Sequence, residues 1–375
     1  MTVYFDNAAT TKPRPEAVAA ATRAMTELYG NPSSTHEIGR AAAFELTRAR
    51  EHVAAALGGK PENIIFTSGG TESDNLALFS AAQLGARHGK HIVTSLTEHS
   101  AVLNTAERLA KLGYEVTFLK PARSGIIPPA DLTAALREDT ILVSLMLVNN
   151  ETGALSPAFE YARAIRAKSP NALYHVDAVQ AFGKMPFTAK SLDADLISVS
   201  AHKIHGIKGA GALFTRSGVA LPPQLYGGQQ ETGTRSGTEA MPAIMAFGEA
   251  ARLASSEIAE SMNHAAALRE IVVRALAEIP KAQVLVEGAA HILSISLPGY
   301  RSEVLMNCLE DDGICLSRSS ACKRGERSRI LQAMGVAPDV IDGALRVSFS
   351  RDNTVEEAEY FAEKLIAISK RLFHR

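Results

Sequence analysis

Residues 195–214 read DLISVSAHKIHGIKGAGALF, and this stretch decides the fold. Its apolar residues Leu196, Ile197 and Val199 predict a buried strand, and a glycine-rich turn leads into a second apolar run. Lys203 follows the strand directly, although lysine normally lies on a solvated face. A desolvated lysine has the lowered pKa that a Schiff-base nucleophile needs, so Lys203 is a candidate for carbonyl chemistry. A surface lysine in a loop is the alternative that this stretch leaves open.

The chain around this stretch alternates short apolar runs with helical segments. This alternation predicts an α/β fold in which a mainly parallel sheet is covered by helices on both faces. The predicted strands are 63–66, 91–94, 115–119, 141–147, 173–176, 196–200 and 212–215. The predicted helices are 38–57, 73–84, 101–112, 129–136 and 157–167.

The pattern changes after residue 241, where an alanine-rich stretch predicts one long helix that ends near residue 279. Shorter elements follow it, with strands predicted at 283–287, 292–297 and 344–349 and helices at 303–311 and 354–373. This change indicates a second, smaller α+β domain attached to a connecting helix. We expect a large domain at residues 15–245 and a small domain formed by residues 1–14 and 246–375.

Composition excludes several classes of protein. The 375 residues are 46% hydrophobic, and 39 basic residues against 40 acidic ones give a formal charge of −1, so we expect no nucleic acid partner. The N-terminus lacks the pattern of a signal peptide and no apolar run is long enough to span a membrane, so we expect a cytoplasmic protein without a membrane partner. Cys308, Cys315 and Cys322 are odd in number and lack paired CxxC spacing, which argues against a disulfide framework and a metal site.

Ligands bind outside the carboxyl ends of the strands in open α/β sheets, so residues that follow strands are read first. The first predicted strand is followed by TSGGTES at 67–73, a glycine turn that leads into a helix. The backbone N–H groups of Gly70 and Thr71, with the Thr71 hydroxyl, would suit a phosphate group at this helix N-terminus. An ordinary helix cap has the same geometry, and both interpretations stay open.

Further polar residues follow the other predicted strands. Asp177 ends an apolar strand, where a buried carboxylate needs a positive partner such as a protonated ring nitrogen. Gln180 could reach a neighbouring polar group of the same ligand. His99 could stack on an aromatic ligand and relay protons, although a structural histidine is the common alternative. Together with Lys203 and the phosphate turn, these residues describe a site for pyridoxal 5′-phosphate (PLP).

The chain resembles the cysteine desulfurases of the aminotransferase class-V group over nearly its whole length. The residues that carry the resemblance are YFDNAATT (4–11), YGNPSSTHEIGRAA (29–42), FTSGGTESDNLAL (66–78), EHSAV (98–102), VNNETG (148–153), HVDAVQAFGK (175–184), SVSAHKIHGIKGAGAL (198–213), GGQQETGTRSGT (227–238), SSAC (319–322) and LRVSFS (345–350). The resemblance implies the PLP-dependent aminotransferase-like fold (fold type I), L-cysteine as the substrate and PLP as the cofactor.

The resemblance also implies roles for individual residues. Lys203 would bind the cofactor aldehyde, Asp177 would pair with the ring nitrogen, and His99 would stack on the ring. The further cofactor contacts that it implies are Gln180 at the phenolic oxygen, Gly70, Thr71, Ser200 and His202 at the phosphate, and Asn150. Thr238 would reach the phosphate in the partner subunit, which implies a homodimer with shared sites. Asn7, Asn150 and Arg346 would bind the substrate, and a guanidinium suits its carboxylate.

Cys322 is the nucleophile by this resemblance. It would attack the sulfur of the cofactor-bound cysteine, become a persulfide and leave alanine, and an acceptor protein would then take the sulfur. Its loop at 317–329 is small and polar, and the four cations between residues 317 and 327 would lower the thiol pKa. A buried, inert cysteine better describes Cys308 and Cys315, which lie in or beside apolar patterns.

Two alternatives stay open. One is a selenocysteine lyase or cysteine β-lyase of the same fold that does not use Cys322. The other is a non-catalytic binding protein that keeps the fold. The sequence also departs from the family pattern in places, and Ser328-Arg329 replaces a more usual Ser-His after the loop.

Overall fold

The computed structural model describes residues 2–318 and 327–372. Cys322 and most of the predicted loop at 317–329 therefore lie outside the described residues. The strands are β1 Val3–Tyr4, β2 Ile64–Thr67, β3 His91–Ser95, β4 Glu115–Leu119, β5 Thr140–Ser144, β6 Leu173–Asp177, β7 Leu196–Ser200, β8 Gly211–Thr215, β9 Gln283–Val284, β10 Ile292–Ser296, β11 Ile314–Cys315, β12 Ser317–Arg318 and β13 Ala344–Ser348. The helices are α1 Pro15–Thr26, α2 Glu37–Ala56, α3 Gly70–Gly85, α4 Ser100–Lys111, α5 Pro129–Ala135, α6 Ala158–Lys168, α7 Ala189–Leu192, α8 Met241–Ser256, α9 Ile258–Leu276, α10 Ser302–Asp311, α11 Arg329–Ala333, α12 Pro338–Asp342 and α13 Val355–Arg371.

The largest sheet has seven strands in the order β2-β8-β7-β6-β5-β3-β4. Only β8 runs antiparallel to its neighbours in this sheet, so the predicted α/β class with a mainly parallel sheet is confirmed. Except for the edge strand β4, the strands of this sheet are largely buried, because apolar side chains cover both faces. One core cluster lies around Val143, Val176 and Val199 and another around Leu142 and Leu196. The carboxyl ends of the parallel strands meet at one edge.

A second, smaller sheet contains β12-β13-β10-β9 in antiparallel order. Its core joins Phe5 of the N-terminal segment to Leu268 of α9 and Phe361 of α13. β1 pairs with β11 in parallel, which ties the start of the chain to its C-terminal third. We propose from this packing that the small domain contains both chain ends, with the boundaries predicted above.

The alanine-rich stretch forms two helices rather than the single long one that the sequence predicts. The break lies at Glu257, whose backbone leaves the helical region (φ −109°, ψ 5°). The Glu257 carboxylate accepts hydrogen bonds from Arg14 and Arg351, which come from opposite ends of the chain. A local pattern cannot reveal such a break, because its partners are distant in sequence. Among the described helices, none is long and apolar enough to cross a membrane.

The loop at 227–238 has a strained backbone, and the ion pairs of Glu231 with Arg50 and of Arg235 with Glu72 tie it to α2 and α3. Gln229, Glu231 and Thr232 all have positive φ values of 49° to 62°, a conformation that favours glycine. The Glu231 carboxylate receives two hydrogen bonds of 2.6 Å from Arg50 and one of 2.8 Å from the Phe66 backbone N–H. The Arg50 guanidinium also lies 4.7 Å from the centre of the Phe66 ring.

We expect the substitution Glu231→Gln to lower the free energy of unfolding by about 2 to 4 kcal/mol, because it leaves the Arg50 guanidinium without its ionised partner. Urea unfolding followed by circular dichroism measures this change. The control is Glu249→Gln, which breaks a more exposed pair with Arg252 on α8 and should cost less than about 1 kcal/mol. Equal losses of unfolding free energy in the two variants would contradict the prediction that the Arg50–Glu231 pair stabilises the protein more than the exposed pair does.

Candidate active site

The polar residues predicted at strand ends surround a cleft at the carboxyl edge of the large sheet. Its volume is about 490 Å³, which suits a ligand of small-molecule size. The predicted residues that line it are Gly70, Thr71, His99, Asn150, Asp177, Gln180, Ser200, His202, Lys203 and Arg346. The structure therefore brings together residues that are separated by up to 276 positions (346 minus 70) in the sequence.

Lys203 lies directly after β7, at the end of the short turn Ala201–Lys203. Its amine donates hydrogen bonds to the carbonyl oxygens of Ala8 at 2.6 Å and Ala9 at 2.7 Å. Burial, with a contribution from the Arg346 cation, lowers the pKa of Lys203 to about 8. An amine with this pKa is partly neutral near physiological pH, which is the state that attacks a carbonyl carbon.

Asp177 ends β6 and is 5% exposed. One of its carboxylate oxygens accepts the Val179 backbone N–H at 2.9 Å. Burial raises the pKa of Asp177, while His99, the Val179 N–H and Lys203 favour the ionised form. A carboxylate in this place could pair with a positive group on a ligand in the cleft.

A second buried carboxyl group, that of Asp74 on α3, also lines the cleft. Burial raises the pKa of Asp74 well above its usual range, and repulsion from Asp177 adds to this. One Asp74 oxygen has no hydrogen-bond partner among the described residues and lies 3.6 Å from the ring of His175, which is itself fully buried. Two neighbouring buried carboxyls cannot both ionise easily, so we assign the proton to Asp74 and the charge to Asp177.

The N-terminus of α3 forms an open edge of the cleft. The residue before this helix is Gly69, which has no side chain to accept bonds from the first helical N–H groups. At Gly70 a Cβ atom would lie 2.9 Å from a Val179 methyl group, so only glycine leaves this edge unobstructed. The Ser200 hydroxyl is buried nearby without a hydrogen-bond partner among the described residues. These donors suit an anion such as a phosphate group.

His202 also lines this part of the cleft. Its Nδ1 atom lies 3.1 Å from the Thr10 hydroxyl. Burial and the neighbouring lysines, of which Lys203 contributes most, lower the pKa of His202 to about 4. The ring is therefore neutral at physiological pH and could donate one N–H to an anion.

His99 immediately precedes α4 and is exposed to the cleft. Its Nδ1 accepts the Ala101 backbone N–H at 3.2 Å, so the neutral ring carries its proton on Nε2. Loss of contact with water lowers the pKa of His99. The Asp177 carboxylate raises this pKa, whereas the Lys203 and Arg329 cations lower it. The positive end of the α4 dipole acts in the same direction as the cations.

Gln180 has an amide orientation that its neighbours determine. Its Nε2 donates to the Ala8 carbonyl at 2.9 Å, and its Oε1 lies 3.4 Å from the Lys184 amine. A backbone carbonyl only accepts, so the Ala8 contact fixes this orientation, and the Lys184 amine can donate to the Oε1 atom that it presents. The second N–H of the amide is thus available to a ligand oxygen.

Arg346 on β13 is 3% exposed and crosses to the cleft. Its guanidinium donates to the Asn150 carbonyl at 2.8 Å and to the Asp6 carboxylate at 2.7 Å. Its Nε and the Asn150 Oδ1 are both buried without partners among the described residues. A carboxylate-bearing ligand would supply acceptors for such a guanidinium.

The structure does not bring Asn7 or Thr238 to this cleft. The Asn7 amide nitrogen donates to the Tyr4 and Ser348 carbonyls and to the Asn353 side chain, while the following carbonyls of Ala8 and Ala9 reach the cleft instead. Thr238 is exposed, at the end of the strained loop at 227–238. Cys308 and Cys315 are free and half-buried.

Glu98 is a cleft residue for which the sequence predicted no role, although it precedes His99. It is 1% exposed, and one oxygen accepts hydrogen bonds from the Ser95 hydroxyl at 2.7 Å and the Met146 N–H at 3.1 Å. Its other oxygen has no partner in the part of the chain that the structure describes. Burial raises the pKa of Glu98 to about 8. Its place after a buried strand was the signal that could have identified it.

The same described residues contain no group of three or more His, Cys, Asp or Glu side chains that could hold a metal ion. The cleft offers hydrogen-bond donors, the Asp177 carboxylate and the Lys203 amine. This set suits a cofactor with a ring, an aldehyde and a phosphate better than it suits a cation.

Comparison with known proteins gives a consistent result. The family described as aminotransferase class-V matches residues 3–361. A cysteine desulfurase IscS from Methanosarcina thermophila is 42% identical over 375 residues, covering 99% of this chain and 92% of its own. A solved structure described as a NifS-like protein has a TM-score of 0.94 at 37% identity and covers 99% of this chain and 100% of its own. Another, described as SspA in complex with cysteine, has a TM-score of 0.83 at 28% identity and covers 94% and 100%.

We expect the substitution Glu98→Gln to stabilise the protein by about 2 to 3 kcal/mol more at pH 8 than at pH 5. Between the unfolded pKa of 4.5 and the folded pKa of about 8, the unfolded chain has released the Glu98 proton and the folded chain has kept it. Stability is therefore lost as the pH rises through this window, and glutamine removes the loss. Urea unfolding midpoints at the two pH values measure the effect. Glu107→Gln on the exposed face of α4 is the control, and a pH-independent effect at Glu98 would contradict the expectation.

Proposed function

The chain belongs to the aminotransferase class-V family, and we propose that this cysteine desulfurase uses PLP in the cleft to convert L-cysteine to L-alanine. The observation that carries the proposal is the grouping of Lys203, Asp177 and the α3 N-terminus around one cleft of suitable volume. The names of the relatives support cysteine as the substrate. The sulfur would pass to Cys322 and then to an acceptor protein, in iron–sulfur cluster assembly or in the thiolation of tRNA or a cofactor.

The residues of the cleft fit PLP in chemistry. Lys203 would bind the aldehyde, Asp177 would pair with the protonated ring nitrogen, and Gln180 would donate to the phenolic oxygen. The donors for the phosphate would be Gly70, Thr71, Ser200 and His202, and the unpartnered Ser200 hydroxyl and the open α3 N-terminus support this assignment. His99 would stack on the ring, and Asn150 would add a cofactor contact. When bound, PLP supplies an electron sink that stabilises negative charge next to the substrate α-carbon.

Substrate recognition would depend on Arg346. A guanidinium binds a carboxylate through two parallel hydrogen bonds, and the Nε of Arg346 has no partner among the described residues. Asn150 lies beside it, because its carbonyl already accepts from the Arg346 guanidinium. We assign the substrate carboxylate to these two residues. The Asn7 amide is occupied by structural hydrogen bonds, so it would act by holding the N-terminal segment rather than by touching the substrate.

Proton transfer would depend on Lys203 and His99. The Lys203 amine, when it is free, would accept the α-proton of the substrate and return it later. The lowered pKa of Lys203, about 8, leaves a useful neutral fraction for this task. His99 would serve as a proton relay at the cleft mouth, with Nε2 as the atom that carries its proton.

Cys322 would be the nucleophile that receives the sulfur. Its thiolate would attack the substrate sulfur, so that the new S–S bond forms as the C–S bond breaks and the electron pair of that bond remains on the substrate carbon. Protonation of this carbon then completes alanine. Cys322 lies outside the described residues. On either side of it, Arg318 pairs with Glu303 at 2.7 Å and Arg327 with Asp342 at 2.6 Å.

The proposed assembly is a homodimer in which Thr238 reaches the partner's cofactor phosphate. Several large apolar side chains on or beside α1, α2 and the loop at 227–238 are exposed, with Tyr29 at 69%, Phe44 at 64% and Tyr226 at 81%. A surface of this kind is typical of an interface between proteins. The position of Thr238 at the exposed end of the strained loop supports the same proposal.

We expect the substitution Cys322→Ala to reduce the formation of alanine from L-cysteine at least 100-fold while the absorbance of bound cofactor is kept, because the thiolate that accepts the sulfur is absent. Alanine and sulfide are both measured with the purified protein. Cys308→Ala is the matched control and should retain activity within about twofold, since a half-buried thiol beside an apolar core plays no part in the transfer. Undiminished turnover in the Cys322 variant would favour the lyase alternative.

We expect the rate at which the cofactor-free protein captures PLP to rise with pH, with a midpoint near pH 8, and to level off about one pH unit higher. The attacking species is the neutral Lys203 amine, whose fraction increases through the folded pKa of about 8. Stopped-flow absorbance over a pH series measures the rate, and Lys203→Ala gives the background without a covalent bond. A midpoint near the ordinary lysine pKa of about 10.4 would contradict the desolvated amine. A Lys203 variant with unchanged absorbance would favour a non-catalytic protein.

A further inference from the structure

Arg329 crosses from the small-domain side of the cleft to the turn that precedes His99. Its guanidinium donates to the carbonyl oxygen of Leu96 and, at 2.9 Å, to that of Glu98. These carbonyls are two residues apart, so one planar guanidinium bridges the turn. A lysine ammonium lacks this rigid fork. Arg329 also stands where the sequence departs from the family pattern, and the function proposed above assigns it no role.

The position of Arg329 is held by the residues around it. Ser328 caps α11 by accepting the Leu331 N–H at 3.2 Å, and its hydroxyl donates to the Glu151 carboxylate at 2.6 Å. Leu331 is fully buried in an apolar cluster, which anchors α11. Arg329 is the first residue of this helix, so its guanidinium reaches the turn from a rigid base.

The charges that face His99 come from several elements. Among the described residues, the carboxylate is that of Asp177 on β6, and the cations are Lys203 after β7 and Arg329 of α11. Glu98, next to His99 in sequence, is predominantly neutral at physiological pH because burial raises its pKa to about 8. The other titratable groups that the described residues bring to the same cleft are Asp74, Glu151, His202, Arg327 and Arg346. Arg329 is thus a permanent cation near the imidazole, and it also contacts the backbone of the residue before His99.

We propose that Arg329 is a positioning residue for His99, which holds the turn at residues 96–98 and adds to the surroundings that disfavour protonation of the imidazole. A neutral ring can stack on the PLP ring without adding a positive charge beside the protonated ring nitrogen that Asp177 pairs with. A second imidazole proton would bind to Nδ1 and displace the Ala101 hydrogen bond that orients the ring. Arg329 disfavours this proton through charge repulsion. The inference deepens the proposed function, because it concerns the histidine assigned there to the cofactor.

The test titrates His99 in the cofactor-free protein by NMR with labelled histidine. His99→Gln identifies the resonance among the 11 histidines. We expect Arg329→Gln to raise the pKa of His99 by about 0.5 to 1 unit, since a nearby like charge is removed. Arg329→Lys keeps the charge without the fork and should retain most of the parent pKa.

The matched control is Arg327→Gln, which removes a guanidinium two residues away that pairs with Asp342. It should move the pKa of His99 by less than about 0.2 units, because solvent and salt screen an exposed charge. An unchanged His99 pKa in Arg329→Gln, or an equal shift in Arg327→Gln, would overturn the proposal. The titration uses no substrate and no turnover, so an inactive enzyme would not affect its outcome. If Arg329→Gln does not fold, the test rests on Arg329→Lys. A raised His99 pKa in that variant would overturn the proposal, because the lysine keeps the positive charge.

Discussion

The site depends on the hydrogen bonds between the Lys203 amine and the carbonyl oxygens of Ala8 and Ala9. Backbone carbonyls are neutral acceptors, so they satisfy the amine without the charge that would stabilise its protonated form. The Ala8 N–H in turn donates to the Ser348 hydroxyl on β13, the strand that carries Arg346. One short N-terminal segment therefore connects the amine at the large sheet with the guanidinium from the small sheet. Movement of this segment would displace both groups together.

Among the buried acids Asp177, Asp74 and Glu98 of the cleft, the surroundings favour ionisation of Asp177. Asp177 has a backbone donor and two cationic or titrating neighbours, whereas Asp74 has an oxygen without a partner in the described part of the chain. Glu98 is also protonated over most of the physiological range. The neutral state of these acids prevents mutual repulsion in a desolvated space. The negative charge of Asp177 thus faces the cleft where the ring nitrogen of the proposed cofactor would lie.

Much of the fold could be predicted because local patterns are sufficient for it. The strands at 115–119 and 196–200 have their predicted bounds, and the α/β class is confirmed. The strand predicted at 141–147 ends at Ser144, although the apolar residues after it stay buried. The helix break at Glu257 and the reach of Arg329 could not be predicted. Both depend on partners at least 94 residues away in the sequence.

The sequence by itself determined where strands occur along the chain, which polar residues follow them and what kind of chemistry these residue types can perform. These properties are local, because apolar periodicity and residue type are written along the chain. Only the tertiary structure decided which of the candidates meet: Arg346 reaches the cleft and Asn7 does not, and Glu98 and Arg329 join it. It also decided which groups are neutral, because burial and the proximity of other charges set each pKa, and both arise only when distant segments pack together.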